Sequence, residues 1–257
     1  MFDQLIIKWF SATLQKNGNQ IKENEDKYAP ILGNGAYFRT KDFRCAISDG
    51  ATESSFSQIW ADHLVNEYIN SKFPDNLGFI SAAKSKWNGE VSKIEHTWVS
   101  REKIKNGSFA TLLGFQLVAG DRENYYPLGG KWKAIGIGDS CLFQFREDRS
   151  IIVIPINNRS GFHNRPSLLG TASANESYLD HAFYGSWKSG DDFFLMTDAL
   201  AEWSISNLRD GKNVSGILKD KLTRKSRDNL FSEWINSLRF RHEIKNDDTT
   251  VIWVKVY

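Results

Sequence analysis

The chain has 257 residues, 40% hydrophobic and 25% charged, with a formal net charge of +2. That length suits one large domain or two small ones with a substantial core, and the composition is ordinary for a soluble globular protein. The near-neutral balance makes no electrostatic case for nucleic acid or an acidic membrane surface, and no stretch is long and apolar enough to span a bilayer.

Taken in chain order, Phe2, Leu5, Ile6, Trp9 and Phe10 fall on one helical stripe. This predicts an N-terminal helical extension over residues 1–17, packed on the body as a surface helix. An interfacial membrane helix or a partner-binding helix is the other reading. The segment carries Asp3 and Lys8 and lacks the basic-then-apolar order of a signal peptide, so a cytoplasmic location is expected.

Phe43, Cys45 and Ile47 alternate with Arg44, Ala46 and Ser48, a strand that ends at Asp49. Phe56, Trp60, Leu64 and Tyr68 predict a helix. Ile80, Ala83, Trp87, Val91, Ile94 and Trp98 predict a second, long one, joined to the first near Pro74. Phe109 to Val118 reads as a strand. Trp132 to Ile137 and Cys141 to Arg146 flank Gly138-Asp139-Ser140, which reads as a hairpin turn, and Ile151 to Ile156 extends the pair into a meander.

Residues 157–190 are rich in Asn, Ser and Gly, too long for a typical connection, and are expected to form a flap-like insertion. Phe193 to Thr197 leads as a strand into Asp198. Leu230, Phe231, Trp234, Ile235 and Leu238 mark a late helix, and Thr250 to Val256 is the final strand. Cys45 and Cys141, the only cysteines, lie in apolar runs and are expected to be buried thiols. This order is not the βαβα alternation of a parallel sheet. It predicts a single α+β domain over residues 1–257, with mainly antiparallel sheets face to face and helices outside.

Asp49 and Asp198 follow their strands, and Asp247 precedes its own. In antiparallel pairing the start of one strand lies beside the end of its neighbour, so one edge can gather all three carboxylates. Crowded carboxylates raise one another's pKa unless a cation compensates, and Mg²⁺ or Mn²⁺ is the natural occupant. Aspartates at strand ends also serve as turn formers and helix caps, and spacing alone does not choose between these roles.

The segments Asn24-Glu25-Asp26, Ser48-Asp49-Gly50, Gly107-Ser108-Phe109-Ala110-Thr111, Gly138-Asp139-Ser140, Thr197-Asp198-Ala199-Leu200 and Asp247-Asp248-Thr249-Thr250-Val251 occur in this order. Together they resemble the metal-dependent serine/threonine phosphatases of the protein phosphatase 2C type (the PPM family), from about residue 18 to the C-terminus. The resemblance implies an αββα sandwich. It also implies hydrolysis of phosphoserine and phosphothreonine in proteins by a hydroxide bridging two Mg²⁺ or Mn²⁺ ions, a role in signalling opposite a Ser/Thr kinase. On this pattern Asp49 bridges the ions and the Gly50 carbonyl binds one of them. Asp198 and Asp247 complete the other, and Glu25, with Asp26, holds metal-bound water. Asp139 and Glu202 stand where a third ion could be held, although the family places aspartate at the Glu202 position.

The departures concern phosphate. Ile21 occupies the position of the family's phosphate-holding arginine, and Lys22, Arg39 or Arg165 are the substitutes the sequence offers. Ala51 stands where many members carry a histidine proposed as general acid, and the five histidines have no metal-ligand spacing. A low-activity binding or regulatory module with this fold is therefore one alternative, and hydrolysis of a small phosphorylated metabolite is another.

Overall fold

The computed structural model describes residues 4–30, 35–71, 78–94, 104, 107–120, 129–162, 166–172, 181–223 and 227–257. Its elements run β1 (Leu5–Leu14), β2 (Lys27–Ala29), β3 (Tyr37–Thr40), β4 (Asp42–Ser48), α1 (Ser57–Asn70), α2 (Gly78–Val91), β5 (Phe109–Ala110), β6 (Leu112–Ala119), β7 (Gly129–Ile137), β8 (Cys141–Phe145), β9 (Ile151–Ile154), β10 (Leu169–Gly170), β11 (Ala182–Lys188), β12 (Asp192–Met196), α3 (Asp198–Arg209), α4 (Val214–Thr223), α5 (Arg227–Phe240) and β13 (Thr249–Val256).

The six-stranded sheet has the order β3-β1-β13-β12-β8-β9 and the five-stranded sheet β11-β7-β6-β4-β2. Every pairing within them is antiparallel. Strand alternation sorts the apolar residues into layers. Phe193, Leu195, Ile252 and Val254 point inward and meet Ile47, Phe115, Leu117 and Trp132 of the other sheet. Their neighbours Phe194, Met196, Val251 and Trp253 point outward and are covered by Leu200, Leu218, Phe231 and Ile235 of α3, α4 and α5. Trp60, Leu64, Tyr68, Ile80 and Trp87 of α1 and α2 pack on the outer face of the five-stranded sheet. The result is the αββα sandwich expected from the sequence. Cys45 and Cys141 are free and buried, and among the described residues no helix is long and apolar enough to cross a membrane.

Three expectations are corrected. The N-terminal segment is not a helix from residue 5 onward: Leu5–Leu14 is strand β1, paired with β13 from Ile7↔Val256 to Leu14↔Thr249. Leu5, Ile7 and Trp9 enter the inter-sheet core, and Phe10 and Ala12 face the helices. A strand buried on both faces loses its polar alternation, and its apolar run then matches a helical stripe by accident. Second, Gly138-Asp139-Ser140 is not a hairpin turn. It carries the chain from β7 in one sheet to β8 in the other. Gly138 has φ +105, and a Cβ there would come within 2.6 Å of Thr111 Cγ2, so this crossing requires glycine. Third, the 157–190 insertion ends early, because β11 is the edge strand beside β7. Residues 163–165 and 173–180 of that segment lie outside the described residues, as does Trp98 of the second predicted helix, which ends at Val91.

Candidate metal centre

The β12–β13 register sets Met196 opposite Val251, so the end of one strand lies beside the start of the other. Thr197 locks this edge. Its N–H donates to Thr250 O at 3.1 Å, and its hydroxyl accepts the Thr250 N–H at 2.9 Å. Asp198 and Asp247 flank this junction. Asp49 arrives from the five-stranded sheet at the end of β4. There its N–H donates to Thr111 Oγ1 at 2.9 Å and its carbonyl accepts the Thr111 N–H at 2.8 Å. Gly50 follows so closely packed that a Cβ would lie 3.0 Å from the Ser57 backbone.

The carboxylates feel one another. Asp49 is held well above the usual carboxylate pKa by burial and then by the charges of Asp26, Asp198, Asp247 and Asp139. Burial is also the main cause of the rise at Asp26, reinforced by Asp248 and Asp198 and opposed by the Thr250 and Thr197 hydroxyls. Asp198 is pushed up to about 7 by burial, Asp139 and Asp247, against the pull of Lys245 and the Ala199 N–H. So Asp49, Asp198 and Asp247 share one edge with Asp26 and Asp139. Asp198, read from sequence as a strand end, is also the first residue of helix α3. A carboxylate is favoured there by the helix dipole.

Among the described residues, no group of three or more His, Cys, Asp or Glu side chains is drawn together as a finished metal cage. The donor set nevertheless fits a hard divalent cation, because it is all oxygen and mostly anionic. Asp26 adds a direct sign. It is 4% exposed. Its Oδ2 accepts from the Thr197 hydroxyl at 3.0 Å, while Oδ1 is buried with no hydrogen-bond partner. A buried carboxylate oxygen left without a partner is costly unless a cation or an ordered water meets it.

Glu25 adjoins the Asp49–Gly50 turn, its carbonyl accepting the Gly50 N–H at 3.3 Å. Its Oε1 accepts from Ser57 Oγ at 3.0 Å and its Oε2 from Thr52 Oγ1 at 2.5 Å, with Lys16 Nζ 3.5 Å from Oε2. Glu202 lies one turn beyond Asp198 on α3 and pairs with Lys245 at 3.2 Å. Of the arginine substitutes, Arg39 pairs with Ile6 at the far end of β1, roughly 25 Å of strand from the acidic edge. Lys22 and Ile21 are exposed, Ile21 by 81%. Arg165 lies outside the described residues.

Sequence reasoning missed the residues that hold the site in place. Asp248 accepts the Lys16 N–H at Oδ1 (2.7 Å) and the Glu25 N–H at Oδ2 (2.6 Å), tying the β13 entrance to the Glu25–Asp26 loop. Buried Arg239 donates to Gln15 O at 2.9 Å and to Asp247 O at 2.5 Å. Lys16 brings its ammonium to Glu25 and Lys245 to Asp198. Asp248 lies inside the Asp247-Asp248-Thr249-Thr250-Val251 motif, which was a usable signal. Arg239 and Lys245 had none, because their roles depend on long-range contacts.

No family model matches the sequence, and no curated protein matches it significantly. Solved structures do match. The Mycobacterium tuberculosis serine/threonine phosphatase PstP/Ppp is 14% identical at TM-score 0.57, covering 98% of this chain and 99% of that one. The PstP catalytic domain crystallised with 2 manganese ions is 15% identical at the same TM-score and coverage. The S. agalactiae serine/threonine phosphatase is 13% identical at TM-score 0.55, covering 98% of this chain and 100% of that one. At these identities the likeness is one of fold, shared with these serine/threonine phosphatases.

Proposed function

We propose that this chain is a divalent-metal-dependent phosphatase acting on phosphoserine or phosphothreonine in proteins. The observation that carries the reading is the acidic edge itself. Carboxylates from both sheets face one another, and a buried Asp26 oxygen has no partner. A fold does not need such a cluster, whereas a site for Mg²⁺ or Mn²⁺ does. Asp49, Asp198, Asp247 and the Gly50 carbonyl are the residues that would hold the ions. When bound, these supply Lewis acidity toward a phosphoryl oxygen and an acidified water nucleophile.

The chain's own groups do the rest. Asp49 joins the two sheets at the centre of the cluster. Asp26, fixed through Oδ2 by Thr197, presents Oδ1 as the acceptor that orients the attacking water. Glu25 is locked by Ser57, Thr52 and the Asp248 clasp, and shapes the neighbouring wall. A small cleft of about 270 Å³, lined by Ala51, Glu53, Ser54, Phe109 and Leu168, begins at the residue after Asp49–Gly50. It is the candidate entry for the residue bearing the phosphate.

The test is an assay of p-nitrophenyl phosphate and a phosphopeptide with Mn²⁺, with EDTA, and with Asp198→Ala. Metal-dependent turnover that the substitution abolishes supports the enzyme. Bound Mn²⁺ with no turnover on either substrate would instead favour the binding module, a reading that the exposed Ile21 at the arginine position makes specific.

A further inference from the structure

We propose that Lys245 is a built-in cation of this site: its ammonium takes the place beside Asp198 and Glu202 where a further divalent ion would otherwise sit, so the native chain holds no metal between Asp139, Asp198 and Glu202. Lys245 Nζ lies 3.2 Å from Glu202 Oε2 and 3.7 Å from Asp198 Oδ2. The two carboxylates are four residues apart on α3 and therefore share one face of the helix. The charge of Asp139, from the crossing between the sheets, also acts on both Asp198 and Lys245.

A divalent ion bound to these oxygens would sit about 2.0–2.6 Å from each. An ion between these carboxylates would stand on the side of Asp198 Oδ2 and Glu202 Oε2 that the ammonium already occupies, and the two cations would be in near contact. Asp198 Oδ1, which accepts the Ala199 N–H, is left for the resident ions of the proposed function. Access does not exclude the ion. Glu202 and Lys245 line an open groove of about 650 Å³ together with Trp203, His242 and Asn246. The exclusion is electrostatic and comes from one side chain. Lys245 lies two residues before Asp247, on the turn that leads into β13. The same turn therefore brings in a predicted metal ligand and the cation that closes the adjacent position.

The resident ions come from the proposed function, whereas the counter-ion role of Lys245 comes from the ion pairs alone. Mn²⁺ titration calorimetry, with equilibrium dialysis to count bound ions, separates the two. The proteins compared are the native chain, Lys245→Met, Lys245→Arg, and Lys245→Met combined with Glu202→Gln. Lys245 is about half exposed, so these variants should fold, which a thermal melt checks. The expected result is one Mn²⁺ more per chain for Lys245→Met than for the native protein. Lys245→Arg should keep the native count, and the double variant should return to it. An unchanged or lower count for Lys245→Met overturns the inference while leaving the proposed function standing if the native chain binds Mn²⁺. A native chain that binds no Mn²⁺ while Lys245→Met gains an ion removes the proposed function and keeps Lys245. Absence of binding in all four proteins removes both.

Discussion

Asp192 opens strand β12 and Asp198 follows its end, so one strand carries aspartates into both edges of the six-stranded sheet. At the first edge Asp192 is 5% exposed and well matched. Its Oδ1 accepts from Trp253 Nε1 at 2.9 Å with Lys255 Nζ 3.7 Å away, and its Oδ2 pairs with Lys219 at 2.9 Å. Asp191 beside it accepts from Gln144 Nε2 at 2.7 Å and from the Lys188 N–H at 3.0 Å. At the other edge Asp198 faces Asp139 and Asp247, and Asp26 keeps an oxygen without a partner. Burial raises carboxylate pKa values at both edges, but at Asp191 its neighbours oppose the rise, whereas at Asp49 each named neighbour adds to it. The fold can therefore bury aspartate in a compensated way, and does so about six residues from a place where it does not. Without a cation, the acidic edge adds nothing to the stability of the chain.

The largest expected effect breaks the comparison at the acidic edge. Asp198→Ala should lower Mn²⁺-dependent kcat/KM by more than roughly a hundredfold, since outer-shell changes alone cost about 10–100-fold in metal sites. Its unfolding free energy in urea should stay close to native. The mirror change at the matched edge should do the reverse. Asp192→Ala leaves the Trp253 indole N–H unpartnered and removes the ion pair of Lys219, while Lys255 keeps its bond to Gly190 O. The change should cost about 2 kcal/mol in urea unfolding. The share due to Lys219 is small because that side chain is 37% exposed. Turnover per folded molecule should not change. If Asp192→Ala instead reduced turnover as strongly as Asp198→Ala, the two edges would not be independent.

The sequence made the acidic edge legible and left its supports hidden. Asp49, Asp198 and Asp247 stood out because strand alternation stops at each of them, and the ordered motifs assigned their neighbours. The layering followed from aromatic stripes at helical spacing; α1 and α5 lie where those stripes put them, and α2 follows its stripe from Ile80 to Val91 but stops short of Ile94. Strand β1 was missed because both of its faces are buried, which erases the signal that separates strand from helix. The crossing at Gly138-Asp139-Ser140 reads as a hairpin in the sequence because turn residues record a change of direction, not which sheet the next strand joins. Lys245 and Arg239 act through contacts with residues far away in sequence, and no local pattern announces them; Asp248 lay within the last ordered motif, but its clasp on Lys16 and Glu25 is equally long-range.

A smaller effect sharpens the picture of those supports. Asp248→Asn keeps the size of the side chain but offers one acceptor oxygen where two N–H groups, from Lys16 and Glu25, need one each. The Glu25–Asp26 loop should loosen, with about a tenfold loss in Mn²⁺ affinity or kcat/KM and about 1 kcal/mol of stability. Native values for both quantities would show that the Asp248 clasp does not position the loop.

The smallest effect is the most discriminating, because it has the opposite sign to ordinary core damage. Asp49→Asn removes a charge that faces Asp26, Asp198, Asp247 and Asp139. Without metal, that charge is repelled from several directions, so the variant should be more stable than the native chain by about 1 kcal/mol in urea unfolding with EDTA present. With saturating Mn²⁺ the order should invert, because the native protein gains binding free energy that the variant cannot. A matched aspartate behaves otherwise: Asp192→Asn should destabilise with or without metal, since a partner is lost and no repulsion is relieved. If Asp49→Asn destabilised the metal-free protein as Asp192→Asn does, the acidic edge would be another compensated structural cluster, and the difference between the two ends of β12 would disappear.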